Sequence, residues 1–392
     1  MTDDAGTRAA DHLRIVGHSN LGGYGDGMQV VRHHDALYVG HHGTTGMATS
    51  ILDVSDPRAP RLVRQLIAAR GSHSHKVQVG DDLLLANEER FQTDGDFSAG
   101  MIVYDVTEPL DPKPIGRFES GGLGVHRIVY TGGRYAYVSA IPDGFDDRIW
   151  VIVDLTDPEH PTEAGRWWWP GMWRSGGETP TWPHDKRFAA HHALLDGRLA
   201  YLGYGDAGMV ILDVGDVSAP EVVSKLDWSP GGDTHTCLPL PGRGLVVTTD
   251  EAVKERCNEE TKLVRIIDVS DARAPRVVGV CPVPEGDFCR HGLRFGPHNL
   301  HENLPNSYRS ETLAFVTYFN AGLRVYDISR PDTPREIAYW VPEAPQDQEA
   351  PQINDLYVDR SGLIFTTDRI TGGLYVLEPD EYLLSAMKEA RL

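Results

Sequence analysis

The feature that most constrains this chain is a repeat. An apolar run ending in Asp, followed by a turn and a Pro, recurs as SILDVSDPRAP ending near Pro60, IVYDVTEPLDP near Pro112, WVIVDLTDPEHP near Pro161, VILDVGDVSAP near Pro220, VRIIDVSDARAP near Pro275 and LRVYDISRPDTP near Pro334. LYVLEPDEY, from Leu374, is a degenerate seventh copy. β-Branched and aromatic residues closed by Asp, Ser and Pro make each copy a strand with its exit turn. Ahead of every copy lie two short strands joined by a tight turn, as in HKVQVGDDLLLAN from His75 and HRIVYTGGRYAYVSA from His126. After each Pro comes a fourth strand, such as RLVRQL from Arg61 or REIAYW from Arg335.

Four strands in each unit of roughly forty to fifty residues, with no helix between units, predict an all-β fold: a seven-bladed β-propeller of four-stranded blades. A length of 392 residues would ordinarily suggest two or three domains, but a closed repeat uses residues 1–392 as a single domain, with blades over 28–379. Nothing after LYVLEP reads as an outer strand for the last blade. HLRIVGHSNLGG, from His12, resembles the outer strands elsewhere, so residues 12–18 are expected to close the last blade and remove its open edge. The tail 380–391, with Asp380 as N-cap, reads as an amphipathic helix docked outside.

The repeated LxIxDVSDPxxP is similar to that of the LVIVD-repeat family of seven-bladed β-propellers, over about His12 to Pro379. The resemblance implies the fold and leaves activity to the site, because propellers host many unrelated chemistries.

Charge excludes some functions. Lys and Arg number 37 against 57 Asp and Glu, for a net charge of −20, so nucleic acid and anionic membranes would be repelled and neither is an expected partner. No stretch approaches the length of an apolar spanning helix, and the start MTDDAGTRAADHL is acidic and polar, which reads as cytoplasmic. Cys237, Cys257, Cys281 and Cys289 form no Cys-x-x-Cys pair, which fits a reducing compartment and argues against a disulfide framework or a zinc ribbon.

The unusual count is histidine, at 17. With strands lettered A to D from the channel outward, the loops entering A and joining B to C share one face, and these are the long ones. They include HHGTTGMA after Gly40, EERFQTDGDFSA after Asn87 and RWWWPGMWRSGGETPTWPHDKRFAA after Gly165. On that face the entries to strand A align Met28, His75, His126, His192, His235, His298 and Asn354. Ring symmetry aims the five imidazoles at one axis, where clustered rings repel once protonated unless a cation or carboxylates hold them neutral or paired. A transition metal is the expected cofactor, iron before copper or zinc, held by His75, His126, His192, His235 and His298. Alternation then puts Val30, Val77, Ile128, Leu194, Cys237, Leu300 and Leu356 beneath the band as an apolar plug.

The B–C loops on the same face begin with His42, Glu88, Glu89, Asp206, Asp250, Glu251 and Asp368, whose carboxylates could orient the ligands, and Glu88 and Asp250, with His73 and His191, are singled out as the candidates to move protons. Trp169 and Trp173 of the tryptophan-rich loop, with Arg90, Arg290 and Arg369, are candidates to hold substrate. Four-His sites with acids behind them at a propeller mouth are similar to the carotenoid-cleaving oxygenases, and a His-rich copper site is similar to the selenium-binding, methanethiol-oxidising proteins. The resulting expectation is a metal-dependent oxidoreductase acting on a small, planar or aromatic organic molecule. The alternatives are a redox-neutral lyase, isomerase or hydrolase, and a non-enzymatic scaffold binding a protein partner on the same face.

Overall fold

The aspartate that ends each repeat does one local job throughout. The carboxylates of Asp53, Asp105, Asp154, Asp213, Asp268 and Asp327 each accept the backbone N–H two residues on, at 2.8 to 3.0 Å. In four copies a second acid, Asp56, Asp157, Asp216 or Asp271, does the same one turn later. The motif is therefore a pair of side-chain-closed turns that hands the chain from third strand to fourth. Arginines complete it: Arg61, Arg276 and Arg335 reach back from the fourth strand to Asp53, Asp268 and Asp327, and Arg134 and Arg198 come from the first hairpin of their own units.

A computed structural model describes residues 6–43, 46–91 and 97–392; parts of the first two long loops lie outside them. The fold is all-β and propeller-like, with one C-terminal helix. Successive strands pair antiparallel into radial sheets. The first runs Gly27–His33, Ala36–His41, Met47–Asp53, Arg61–Ile67. The next two units, from Val77–Gly80 to Lys113–Glu119 and from Gly124–Val129 to Thr162–Trp167, join through a single Gly124–Glu89 pairing. Further sheets begin at Ala193–Asp196 and Thr234–Leu240.

The chain start is used twice. Leu13–Ser19 pairs antiparallel with Gly373–Pro379, Leu13 facing Pro379 and Ser19 facing Leu374. Thr7–Asp11, which the repeat does not predict, pairs with Arg335–Pro342 in the sheet before it. The tail forms a helix over Glu381–Glu389, where Asp380 accepts the N–H of Leu383 and Leu383 and Met387 are buried. Among the described residues no helix is long and apolar enough to cross a membrane.

Two expectations fail here, each for a physical reason. Four of the innermost strands carry a register shift at the same point, between Gly27 and Val30, Val125 and Arg127, Thr234 and Thr236, and Ile353 and Asp355. A bulge breaks strict alternation, so a histidine at the bulge and the residue two places on need not stand in one column. Val30, Val77, Ile128, Leu194, Cys237, Leu300 and Leu356 accordingly pack in the hydrophobic clusters between sheets. In place of an apolar plug, buried Lys76, Arg127, His192, Glu302 and Asp355 interact with one another. They come from five different units, so their meeting point is the axis.

The cysteine reading also fails, because Cys257 and Cys289 form a disulfide. They stand 32 residues apart on long loops of neighbouring units, a proximity that only the ring creates and spacing could not reveal. The cysteine argument for a reducing compartment goes with it. Cys237 and Cys281 are buried free thiols.

Candidate active site

The entries to the innermost strands deliver a continuous arc of imidazoles. Ring centroids run from His73 to His75 at 3.8 Å, His75 to His126 at 4.8 Å, His126 to His191 at 5.4 Å, His191 to His235 at 3.6 Å and His235 to His298 at 4.4 Å. They line a pocket of about 230 Å³ together with Met28, the residue aligned with them in the first unit. His191 holds the fourth place of the arc, where the repeat alignment puts His192. His192 turns under the arc and brings Nε2 to 3.4 Å from Glu302.

Partners on the outer nitrogens decide what the inner ones present. His298 donates Nδ1–H to the Asn354 carbonyl at 2.7 Å, and His126 donates Nδ1–H to Glu89 at 2.9 Å. In each neutral ring Nε2 is then a bare lone pair. Nδ1 of His235 pairs with the Thr236 hydroxyl at 3.0 Å, and its Nε2 is buried without a partner. Nδ1 of His191 and Nδ1 of His192 lie 2.7 Å apart, so one must donate to the other. With His192 directed at Glu302, the donor is His191, whose Nε2 is left free.

All these rings are neutral at pH 7. Burial pushes His75, His126, His191 and His235 well below the usual value, His73 and His298 to about 3, and His192 to about 4. Two carboxylates complete the wall. Burial alone would raise Glu251, but His298, Arg294 and Arg369 bring it down to about 2, whereas burial outweighs Arg148 and raises Glu89. His235, Glu251 and His298 place ligand atoms within 4.8 Å of one another, as do His73, His75 and Glu89, and His191, His192 and His235.

The acids chosen from the sequence sit one residue off. Glu88 is buried against Arg117, and Asp250 pairs with Arg265 while accepting from Trp228 and Thr234. Both staple strands of their own sheet, and the next residues along, Glu89 and Glu251, face the imidazoles. Of the cations chosen, Arg369 lines the pocket. Arg90 donates to the Phe97 carbonyl, and Arg290 is exposed near Asp287. Arg148, Arg187 and Arg294 also line the pocket, and sequence reasoning passed over them; each stands in a long loop of the same face, which was the signal available.

Among the described residues no tryptophan lines the pocket. Trp169 packs on Phe188 and Tyr204 beneath Lys225, and Trp173 lies over Phe145 and Trp168 at the rim. Glu178 ties this loop down by accepting the backbone N–H groups of Gly171 and Trp173. The loop's contribution to the pocket is its end, Arg187 and Ala189 leading into His191.

An LVIVD-repeat family model matches residues 127–167 and 190–227. A comparison with curated protein sequences finds no match. Among solved structures, the periplasmic gluconolactonase PpgL of Pseudomonas aeruginosa is 10% identical and superposes with a TM-score of 0.59, covering 86% of this chain and 93% of that one. The Cps50 (Swd1) β-propeller domain from Myceliophteria thermophila is 11% identical with a TM-score of 0.56, covering 96% of this chain and all of that one. At such identities the likeness is one of fold. The chain is an all-β propeller that carries LVIVD repeats.

Proposed function

We propose that the protein is a metal-dependent enzyme, an oxidoreductase acting on a small organic molecule at the mouth of a seven-bladed ring. The single observation that carries this reading is the set of buried imidazole nitrogens, Nε2 of His73, His75 and His235, that find no hydrogen-bond partner among the described residues. Unpaired buried polar atoms are costly, and a cluster of neutral rings beside two carboxylates is the donor set a transition metal takes. His235, His298 and Glu251 would hold the ion, with His126 and His191 next in reach; two imidazoles and a carboxylate suit iron first, then copper or zinc. When bound, such an ion supplies redox chemistry with dioxygen.

The protein's own groups do the rest. Glu89 and the Asn354 carbonyl fix which nitrogens of His126 and His298 face inward. Glu89, whose carboxyl burial raises, can hold or accept a proton beside His126. The pocket arginines bind and orient an acidic substrate. The same Glu89 favours a second reading, redox-neutral proton transfer in a lyase or hydrolase, with the metal as Lewis acid.

Metal analysis of protein prepared without a His-tag tests the reading. We expect a stoichiometric transition metal, lost in His126→Ala, His235→Ala and His298→Ala with the fold retained. Glu89→Gln should weaken metal binding or activity by roughly 10 to 100-fold, as outer-sphere changes do. Failure of the untagged protein to take up iron, copper or zinc, or full occupancy in all three histidine variants, sinks the metal and leaves the scaffold.

A further inference from the structure

The pocket's charge is opposite to that of the molecule around it. In a chain of net charge −20, its wall carries Lys76, Arg148, Arg187, Arg294 and Arg369 against Asp233 and Glu251, with Glu89 behind His126 as a third carboxylate and the imidazoles neutral. Two of the arginines are already committed. Arg187 binds Asp147 through two nitrogens at 2.8 and 3.0 Å, and Arg294 meets Glu251 at 2.9 Å. The other two are not. Arg148, with 14% of its side chain exposed, has among the described residues one ion pair, a long one of 4.0 Å to Asp147. Among the described residues the Arg369 guanidinium has no hydrogen bond or ion pair, only the Phe319 ring with its centroid 5.9 Å away. Burial pushes Arg148 down, and burial with Arg294 beside it pushes Arg369 down to about 10, the mark of guanidinium groups lacking a full counter-charge.

Their placement is informative. Arg148 precedes Ile149–Asp154, the third strand of the third unit, and Arg369 follows Ile364–Asp368, the second strand of the last. In a ring of seven, the third and last units are as far apart as two units can be. Each arginine therefore faces the pocket from its own side, and a guanidinium fork left unpaired at a wall is a carboxylate site by geometry as well as charge.

We propose that the substrate is a small dicarboxylate held end to end between Arg148 and Arg369, with the bond to be changed lying over the imidazole arc. The inference rests on the pocket being the reaction site described above. A monocarboxylate satisfies one arginine and leaves the other bare, while a dicarboxylate satisfies both.

Calorimetry on metal-stripped protein, titrated with succinate, glutarate and adipate and with acetate and butyrate, tests this without any activity. At least one dicarboxylate should bind about tenfold or more tighter than either monocarboxylate. Arg148→Gln and Arg369→Gln should each erase that preference, and Arg148→Lys and Arg369→Lys, which keep the charge without the fork, should restore part of it. The idea is overturned if monocarboxylates bind as well as dicarboxylates, if no dicarboxylate binds, or if the glutamine variants keep the preference. Because the protein is metal-free throughout, loss of the metal reading leaves this result standing, and a negative result here leaves the metal analysis untouched.

Discussion

His301 lies outside the arc and shows how the fold keeps an imidazole neutral. Its Nε2–H donates to the Tyr308 carbonyl at 2.7 Å and its Nδ1 accepts the N–H of Val358 at 3.3 Å, so the neutral ring uses both nitrogens. A proton on Nδ1 would set two donors head to head. Burial, only partly opposed by Tyr308 and Glu302, brings the ring down to about 4 from an ordinary 6.5. Below 6.5 the unfolded chain takes up a proton that the folded chain refuses, so stability falls as pH drops from about 6.5 to about 4 and levels off beneath that. The loss from this residue is on the order of 3 kcal/mol. Urea denaturation across pH 7 to 4 should therefore show a shallower decline for His301→Gln than for the parent, and parallel profiles would refute the assignment. At this scale the sequence was partly legible. Equivalent positions in successive repeats pointed to His75, His126, His235 and His298, but adjacent candidates such as Glu88 and Glu89, or His191 and His192, differ only in which way each side chain faces, and that is fixed by the pairing at the strand ends, which spacing does not reveal.

At the scale of the element, the repeat was readable because its chemistry is local. Asp53 accepts from Ser55 and from Arg61, both within eight residues, and no tertiary context is needed to predict the turn. Asp53→Ala should cost about 1 kcal/mol, the net value of a hydrogen bond, and Asp53→Asn less, since the turn acceptor remains while the Arg61 ion pair is lost. Thermal unfolding of the two variants would check that order. Ser55 first and then Arg61 hold the Asp53 carboxyl down to about 2. Its contribution is complete above the ordinary 3.8 and disappears as pH falls toward 2. The long loops were legible only as long. What they carry to the pocket, Arg148, Arg187, Glu251 and Arg294, depends on contacts between loops of different units, and so does the Cys257–Cys289 bond, to which sequence spacing gives no clue.

At the scale of the whole molecule, the question is whether Leu13–Ser19 acts as the last unit's outer strand in the way the other outer strands do. A repeated contact argues that it does. A Cβ added to Gly116, Gly165 or Gly279, each in an outer strand, would strike the backbone carbonyl of Pro158, Val217 or Pro331 in the following unit's repeat turn. Each turn thus lies directly on the preceding unit's glycine, a close approach that leaves no room for a side chain. Gly17 stands in the same relation to the turn of the first unit, where a Cβ would come within 2.8 Å of the Pro57 carbonyl. Glu378 pairs with both Arg14 of this strand and Arg58 of that turn. On the proposal that this strand closes the ring, the seam between last and first units is built like an ordinary junction, and a side chain forced into it should do the same damage. Gly17→Val and Gly116→Val should each cost about 1 to 3 kcal/mol, the usual range for overpacking, and lower the melting temperature to a similar degree. Deleting residues 1–19 should do more, exposing the Gly373–Pro379 edge and causing aggregation. A Gly17→Val protein as stable as the parent, beside a clearly weakened Gly116→Val, would show that the N-terminal strand rests against the ring without closing it.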